Sequence, residues 1–129
     1  MKSQDRIELS KYRIRRARET FGEVSILIEN RLWNTAVNRL YYACYYAVIA
    51  LLIRNEISVN THAGVRQMFG LHFVKTGIID NELGKFYSNI FTTRQSADYE
   101  DYLDFSEEDV LDLLKPADEL IQKIEELLK

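Results

Sequence analysis

Arg94 lies four residues after Ile90 and three before Ala97, on the apolar stripe of a helical segment. A guanidinium in such a position must face a carboxylate or an anion, because an unpaired buried charge is strongly destabilising. Asp98, one turn further on, is one candidate partner. A phosphate held in a cleft is the other. His62 is in step with Val65, Phe69 and His72, which suits either a satisfied core or capping histidine or a group facing a cleft. His62 and His72 are ten residues apart, without a neighbouring cysteine or a His-x3-His pair. That is not metal-site spacing, and neither a metal nor a cofactor is expected. No glycine-rich phosphate loop, Ser-His-Asp arrangement or pair of Glu-x-x-His motifs stands out.

Tyrosines are dense. Tyr41, Tyr42, Tyr45 and Tyr46 share one segment, followed by Tyr87, Tyr99 and Tyr102. Tyr41 and Tyr45 fall on one helical face, Tyr42 and Tyr46 on the next. A ring with a hydroxyl suits the rim of a core, an interface or a base-stacking surface. Cys44, the single cysteine, sits among these rings. It reads as a small core residue rather than a nucleophile, since no activating base accompanies it.

The elements that must position these residues are helical by their apolar spacing. Ile14, Ala17, Phe21, Val24 and Ile28 mark a first helix. Trp33, Val37, Leu40, Cys44, Ala47 and Leu51 mark a second, apolar on most faces from Leu40 to Ile53 and therefore expected at the centre. Val65, Phe69, His72 and Phe73 mark a shorter third, ending at Gly77, which suits a left-handed C′ position. Leu83, Phe86, Ile90, Arg94 and Ala97 mark a fourth. A fifth opens at Ser106-Glu107-Glu108-Asp109, close to a capping box with acids on the positive helix end. Pro116 lies inside it and is expected to kink or split it. No strand alternation, repeat or linker is evident. The expectation is one all-α domain over residues 1–129, an up-and-down four- to five-helix bundle.

Composition agrees with a globular domain: 47% of the 129 residues are hydrophobic and 29% charged, with a single proline. The polar, basic N-terminus does not read as a signal peptide, and no apolar run is expected to span a membrane. The cytoplasm is the expected compartment. The net charge of −3 is unevenly spread. Residues 1–66 carry 11 Lys and Arg against 6 Asp and Glu, and the remainder 6 against 14. Only the first half is suited to attract phosphates. The basic run Lys11, Arg13, Arg15, Arg16 and Arg18 winds around its helix rather than lining one face.

Three stretches together resemble the HEPN domain (higher eukaryotes and prokaryotes nucleotide-binding), in its small stand-alone bacterial and archaeal form. They are Asn34-Thr35-Ala36-Val37-Asn38-Arg39-Leu40-Tyr41-Tyr42-Ala43 leading to Ala50-Leu51-Leu52, then Thr61-His62-Ala63-Gly64-Val65 with Phe69 and Phe73-Val74-Lys75, then Arg94-Gln95-Ser96-Ala97-Asp98-Tyr99. The resemblance implies a helical bundle that forms a homodimer. It also implies a minimal nucleotidyltransferase as partner, in several such pairs as antitoxin to an RNase toxin. Active members use an arginine followed after about four to six residues by a histidine, facing its copy across the dimer cleft and cleaving RNA without metal; the histidine acts as base or acid and the arginine holds the phosphate. Arg94 matches the arginine, whereas Tyr99, Glu100 and Asp101 occupy the histidine positions.

The candidate catalytic residues are accordingly Arg94, Tyr99 and His62, and the candidate ligand-contacting residues Arg94, Asp98, Tyr41, Tyr42 and Asn38. Three functions follow. The first is a homodimeric module that binds a nucleotidyltransferase and a nucleotide or RNA phosphate at Arg94. The second is a metal-independent toxin-type endoribonuclease with a non-standard base. The third is a structural domain in which Arg94 and Asp98 close the bundle.

Overall fold

The computed structural model describes residues 2–99 and 104–129, with only the backbone described for 97–99. Among the described residues five α-helices follow one another: α1 (Ser3–Glu29), α2 (Trp33–Arg54), α3 (His62–Phe69), α4 (Asn81–Tyr99) and α5 (Glu107–Leu127). A π-helical turn, Gly70–Val74, extends α3. Among the described residues there is no strand. The all-α bundle expected from periodicity is the observed architecture.

α2 is the central element, packed against α1, α3, α4 and α5. Eleven of its residues are buried, from Ala36 to Leu52. At 22 residues it is long and apolar enough to cross a membrane, which amends the expectation that no such run exists. Of its apolar window 61% is buried inside the bundle, so tertiary packing accounts for that apolarity. Cys44 lies in this core without exposure, and burial pushes its thiol pKa up.

Two guanidiniums tie the bundle's long helices. Arg54, at the end of α2, donates from Nε to Ser10 Oγ (2.7 Å) on α1 and from Nη1 to the Leu128 carbonyl (2.8 Å) at the end of α5. Arg18 on α1 grips Asp118 and Glu125 on α5, at 2.6 Å each. Glu125 foremost, with Asp118, raises the Arg18 pKa.

The helix ends follow local chemistry. Ser106 Oγ accepts from Asp109 N–H while Asp109 accepts from Ser106 N–H, a reciprocal capping box opening α5. α1 and α2 both end in Schellman turns. Arg31 N–H reaches Ile28 O and Leu32 N–H reaches Leu27 O; Glu56 N–H reaches Ile53 O and Ile57 N–H reaches Leu52 O. The left-handed positions are held by Arg31 (φ 56°) and Glu56 (φ 63°) rather than glycine. Gly77 is left-handed too (φ 83°), but it comes two residues past Lys75, the end of the π turn.

Two local expectations are corrected. Of the two effects expected at Pro116, the split does not occur, and α5 runs through it as one helix. The carbonyl four residues back belongs to exposed Asp112, where water can replace the missing donor. His72 is exposed and Phe73 is buried, because the π turn underwinds the chain and carries Phe73 onto the Val65–Phe69 face.

A non-glycine residue at left-handed φ costs on the order of 1 kcal/mol. Arg31→Gly should therefore raise unfolding stability by up to about 0.5 kcal/mol, after allowance for glycine's larger unfolded-state entropy. Urea denaturation measures it, and unchanged or lower stability would contradict the strain.

Candidate functional site

α2, α3 and α4 converge on an aromatic cluster. Tyr41 is fully buried and is its hub, with ring centroids 5.2 Å from Tyr42, 5.9 Å from Tyr45, 6.4 Å from Tyr87 and 6.2 Å from Phe91. The i, i+4 spacing of Tyr41 and Tyr45 on α2, and of Tyr87 and Phe91 on α4, places each pair on one face. Burial pushes the Tyr41 and Tyr87 hydroxyls well above their ordinary pKa, so both are neutral phenols.

His62 is the first residue of α3. Thr61 precedes it in an extended conformation and caps the helix, its Oγ1 accepting from Gly64 N–H at 2.9 Å. A Cβ at Gly64 would lie 2.5 Å from a Val59 methyl and 2.8 Å from Thr61 Oγ1, so this entry turn requires glycine. The half-buried imidazole stacks on Tyr45 with centroids 4.2 Å apart and an interplanar angle of 12°. Its Nδ1 lies 2.7 Å from Tyr41 Oη, in hydrogen-bond contact. Burial, and then the positive charge of Arg94, lower the His62 pKa below 6.5 and favour the neutral ring.

Arg94 reaches this cluster from α4. It is half-buried, and its Nη2 donates to Tyr42 Oη at 3.0 Å. Its guanidinium carbon lies 5.4 Å from the Tyr41 ring centroid and 5.3 Å from that of Tyr42. Cations over aromatic faces are favoured by the ring quadrupole. Thus Arg94, His62, Tyr41 and Tyr42 are brought together. Asn38 is linked to the cluster through Arg39: its Oδ1 accepts from Arg39 at 3.3 Å, and the Arg39 guanidinium carbon lies 5.1 Å from the Tyr42 ring centroid. The side chains of Asp98 and Tyr99, together with Glu100, Asp101 and Tyr102, lie outside the described residues.

Three neighbours were absent from the candidate set. Tyr45 supports the imidazole, and its spacing from Tyr41 was the available signal. Arg39 and Arg66 add two guanidiniums, Arg66 lying 4.7 Å from the Phe91 centroid. Nothing in their spacing distinguished them from surface cations. The assembled site is a set of aromatic rings that carries the Arg94 guanidinium and the His62 imidazole, with Arg39 against the Tyr42 ring and Arg66 against the Phe91 ring. It can bind an anion, and the imidazole can exchange a proton beside it.

An arginine and a histidine set over a tyrosine cluster, on a bundle of α-helices, define a small all-α domain with a polar site at one side of its core. The HEPN domain model matches residues 10–127, and the chain belongs to the HEPN family. It is similar to a UPF0332 protein of Thermotoga maritima, 40% identical over 122 residues and covering 95% of this chain and 92% of the relative. It is also similar to two Methanocaldococcus jannaschii proteins. "Putative toxin MJ0605" is 34% identical, with 88% of this chain and 84% of the relative covered. "Putative toxin MJ0142" is 31% identical, with 89% and 78% covered.

The His62 shift carries a pH signature. Its folded pKa is below the unfolded value of 6.5, so the unfolded state binds the proton more readily. Stability contributed by the neutral ring is present above 6.5 and is lost as pH falls from there through the folded pKa. Denaturation in a pH series should show wild type losing stability over that window faster than His62→Gln. Parallel profiles would contradict the assigned environment.

Proposed function

We propose that this chain is a HEPN module that binds the phosphate of a nucleotide or RNA at Arg94. The observation that carries the reading is the Arg94 guanidinium set against the Tyr41 and Tyr42 rings, with His62 in the same cluster. Arginine presents a planar fork matched to phosphate oxygens. Arg39 and Arg66 add positive potential, and half-buried Tyr42 and Tyr45 offer ring surface for a base.

The assembly proposed is a homodimer that engages a minimal nucleotidyltransferase, with a role of toxin type. The toxin names of two relatives support the last point. The separation of a basic first half from an acidic second half suits contacts with a polar partner.

A second reading, metal-independent RNA cleavage, is favoured by the neutral His62 beside Arg94. In the competent tautomer Nδ1–H donates to Tyr41 Oη, leaving the Nε2 lone pair to accept a 2′-hydroxyl proton. Arg94 then stabilises the charge that develops on the phosphate. This places the base on α3, upstream of the arginine, rather than a few residues after it on α4.

The test is RNA binding and cleavage by purified protein with a chelator present. Arg94→Ala should weaken binding by about tenfold or more while the helical fold is retained. Cleavage lost in both Arg94→Ala and His62→Gln would establish the second reading. A variant that binds and cleaves as wild type does would remove Arg94 from the site. Light scattering tests the assembly, where a monomer at micromolar concentration contradicts the dimer.

A further inference from the structure

On the other side of Tyr45 lies a separate groove of about 560 Å³, bounded by α1, α2 and the loop between α2 and α3. Its volume is in the range of roughly 300–1,000 Å³ usual for small-molecule sites. Leu9, Ile49, Ile53 and Val59 give it apolar walls, and Arg13 and Tyr45 border them. The charges in it do not balance. Arg6 is bridged to Glu56 at 3.0 Å, so that pair is neutral. Arg13 has no carboxylate partner among the described residues, and its Nε is buried without a hydrogen bond there. The guanidinium carbon lies 5.8 Å from the Tyr12 ring centroid, a contact that leaves its positive charge to be met by an anion.

We propose that this groove is a binding site for a small amphipathic carboxylate. The apolar body lies along Leu9, Ile49, Ile53 and Val59, and the carboxylate receives the Arg13 guanidinium. One uncompensated cation balances one negative charge. A phosphate monoester would bring a second charge into apolar walls beside Glu56, which disfavours it. The planar guanidinium matches a carboxylate oxygen for oxygen. The site is distinct from the one at Arg94 and does not depend on its function. Tyr45 is the wall between the two.

The experiment is isothermal titration calorimetry of the full chain with octanoate, and with octanol and acetate as single-feature controls. Octanoate should bind saturably at one site per chain, with octanol and acetate each weaker by about tenfold or more. Arg13→Gln should reduce octanoate affinity to that of octanol and leave octanol binding as it was. Arg94→Ala should leave octanoate affinity unchanged. Three results would overturn the proposal: no saturable octanoate binding up to about 10 mM, octanol binding wild type as tightly as octanoate, or octanoate affinity lost with Arg94 instead of Arg13. The wild-type comparison of octanoate with octanol decides the matter even if a variant does not fold.

Discussion

A helix that is apolar around most of its circumference must be covered on every side, and α2 imposes that demand on the whole bundle. α1, α3, α4 and α5 all pack against it. The central position also explains how a cluster of neutral phenols can exist. Tyr41 and Tyr87 are fully enclosed only because helices lie on both sides of them. Their rings carry the apolar burial, and one hydroxyl, that of Tyr41, is left within reach of His62. Core packing and site construction are thus served by the same side chains.

The site draws its electrostatic character from those rings. A guanidinium on an aromatic face keeps its charge while shedding little hydration, which suits Arg better than Lys. An imidazole beside it is held neutral by burial and by the like charge of Arg94. The cation and the neutral nitrogen are therefore complementary, one suited to hold an anion and the other to exchange a proton. His62 and Arg94 are 32 residues apart in the chain, and only the packing of α3 and α4 across α2 makes them neighbours.

The helices and the centrality of α2 were legible in the sequence because a 3.6-residue apolar period survives without tertiary context. The capping box at Ser106 was equally local, and so was the resemblance carried by the Asn34–Ala43 and Arg94–Tyr99 stretches. What escaped was non-local or lacked its usual residue. Arg31 and Glu56 take left-handed conformations where glycine is the ordinary marker, so both Schellman turns were silent. Pro116 looked like a breaker because the solvent beside the Asp112 carbonyl cannot be read from spacing. The convergence of His62 with Arg94 depends on helix packing. The role of Tyr45 was half visible, since its face was known but not the ring opposite it.

The π turn at Gly70–Val74 shows how this chain handles length. Lys75 N–H reaches back five residues to Gly70 O at 2.8 Å, so the segment holds one residue more than α-helical winding requires. Just beyond it Ile79 is fully buried, and its N–H bonds to Phe73 O at 2.8 Å, joining the loop to the turn. The surplus residue is thereby absorbed inside a wound element instead of lengthening a loop. Such a turn works as a register adjuster: a one-residue insertion or loss is taken up locally, and the helices on either side keep their phase. In a bundle whose helices all face one central rod, that local slack allows the chain to change length while the core stays in step.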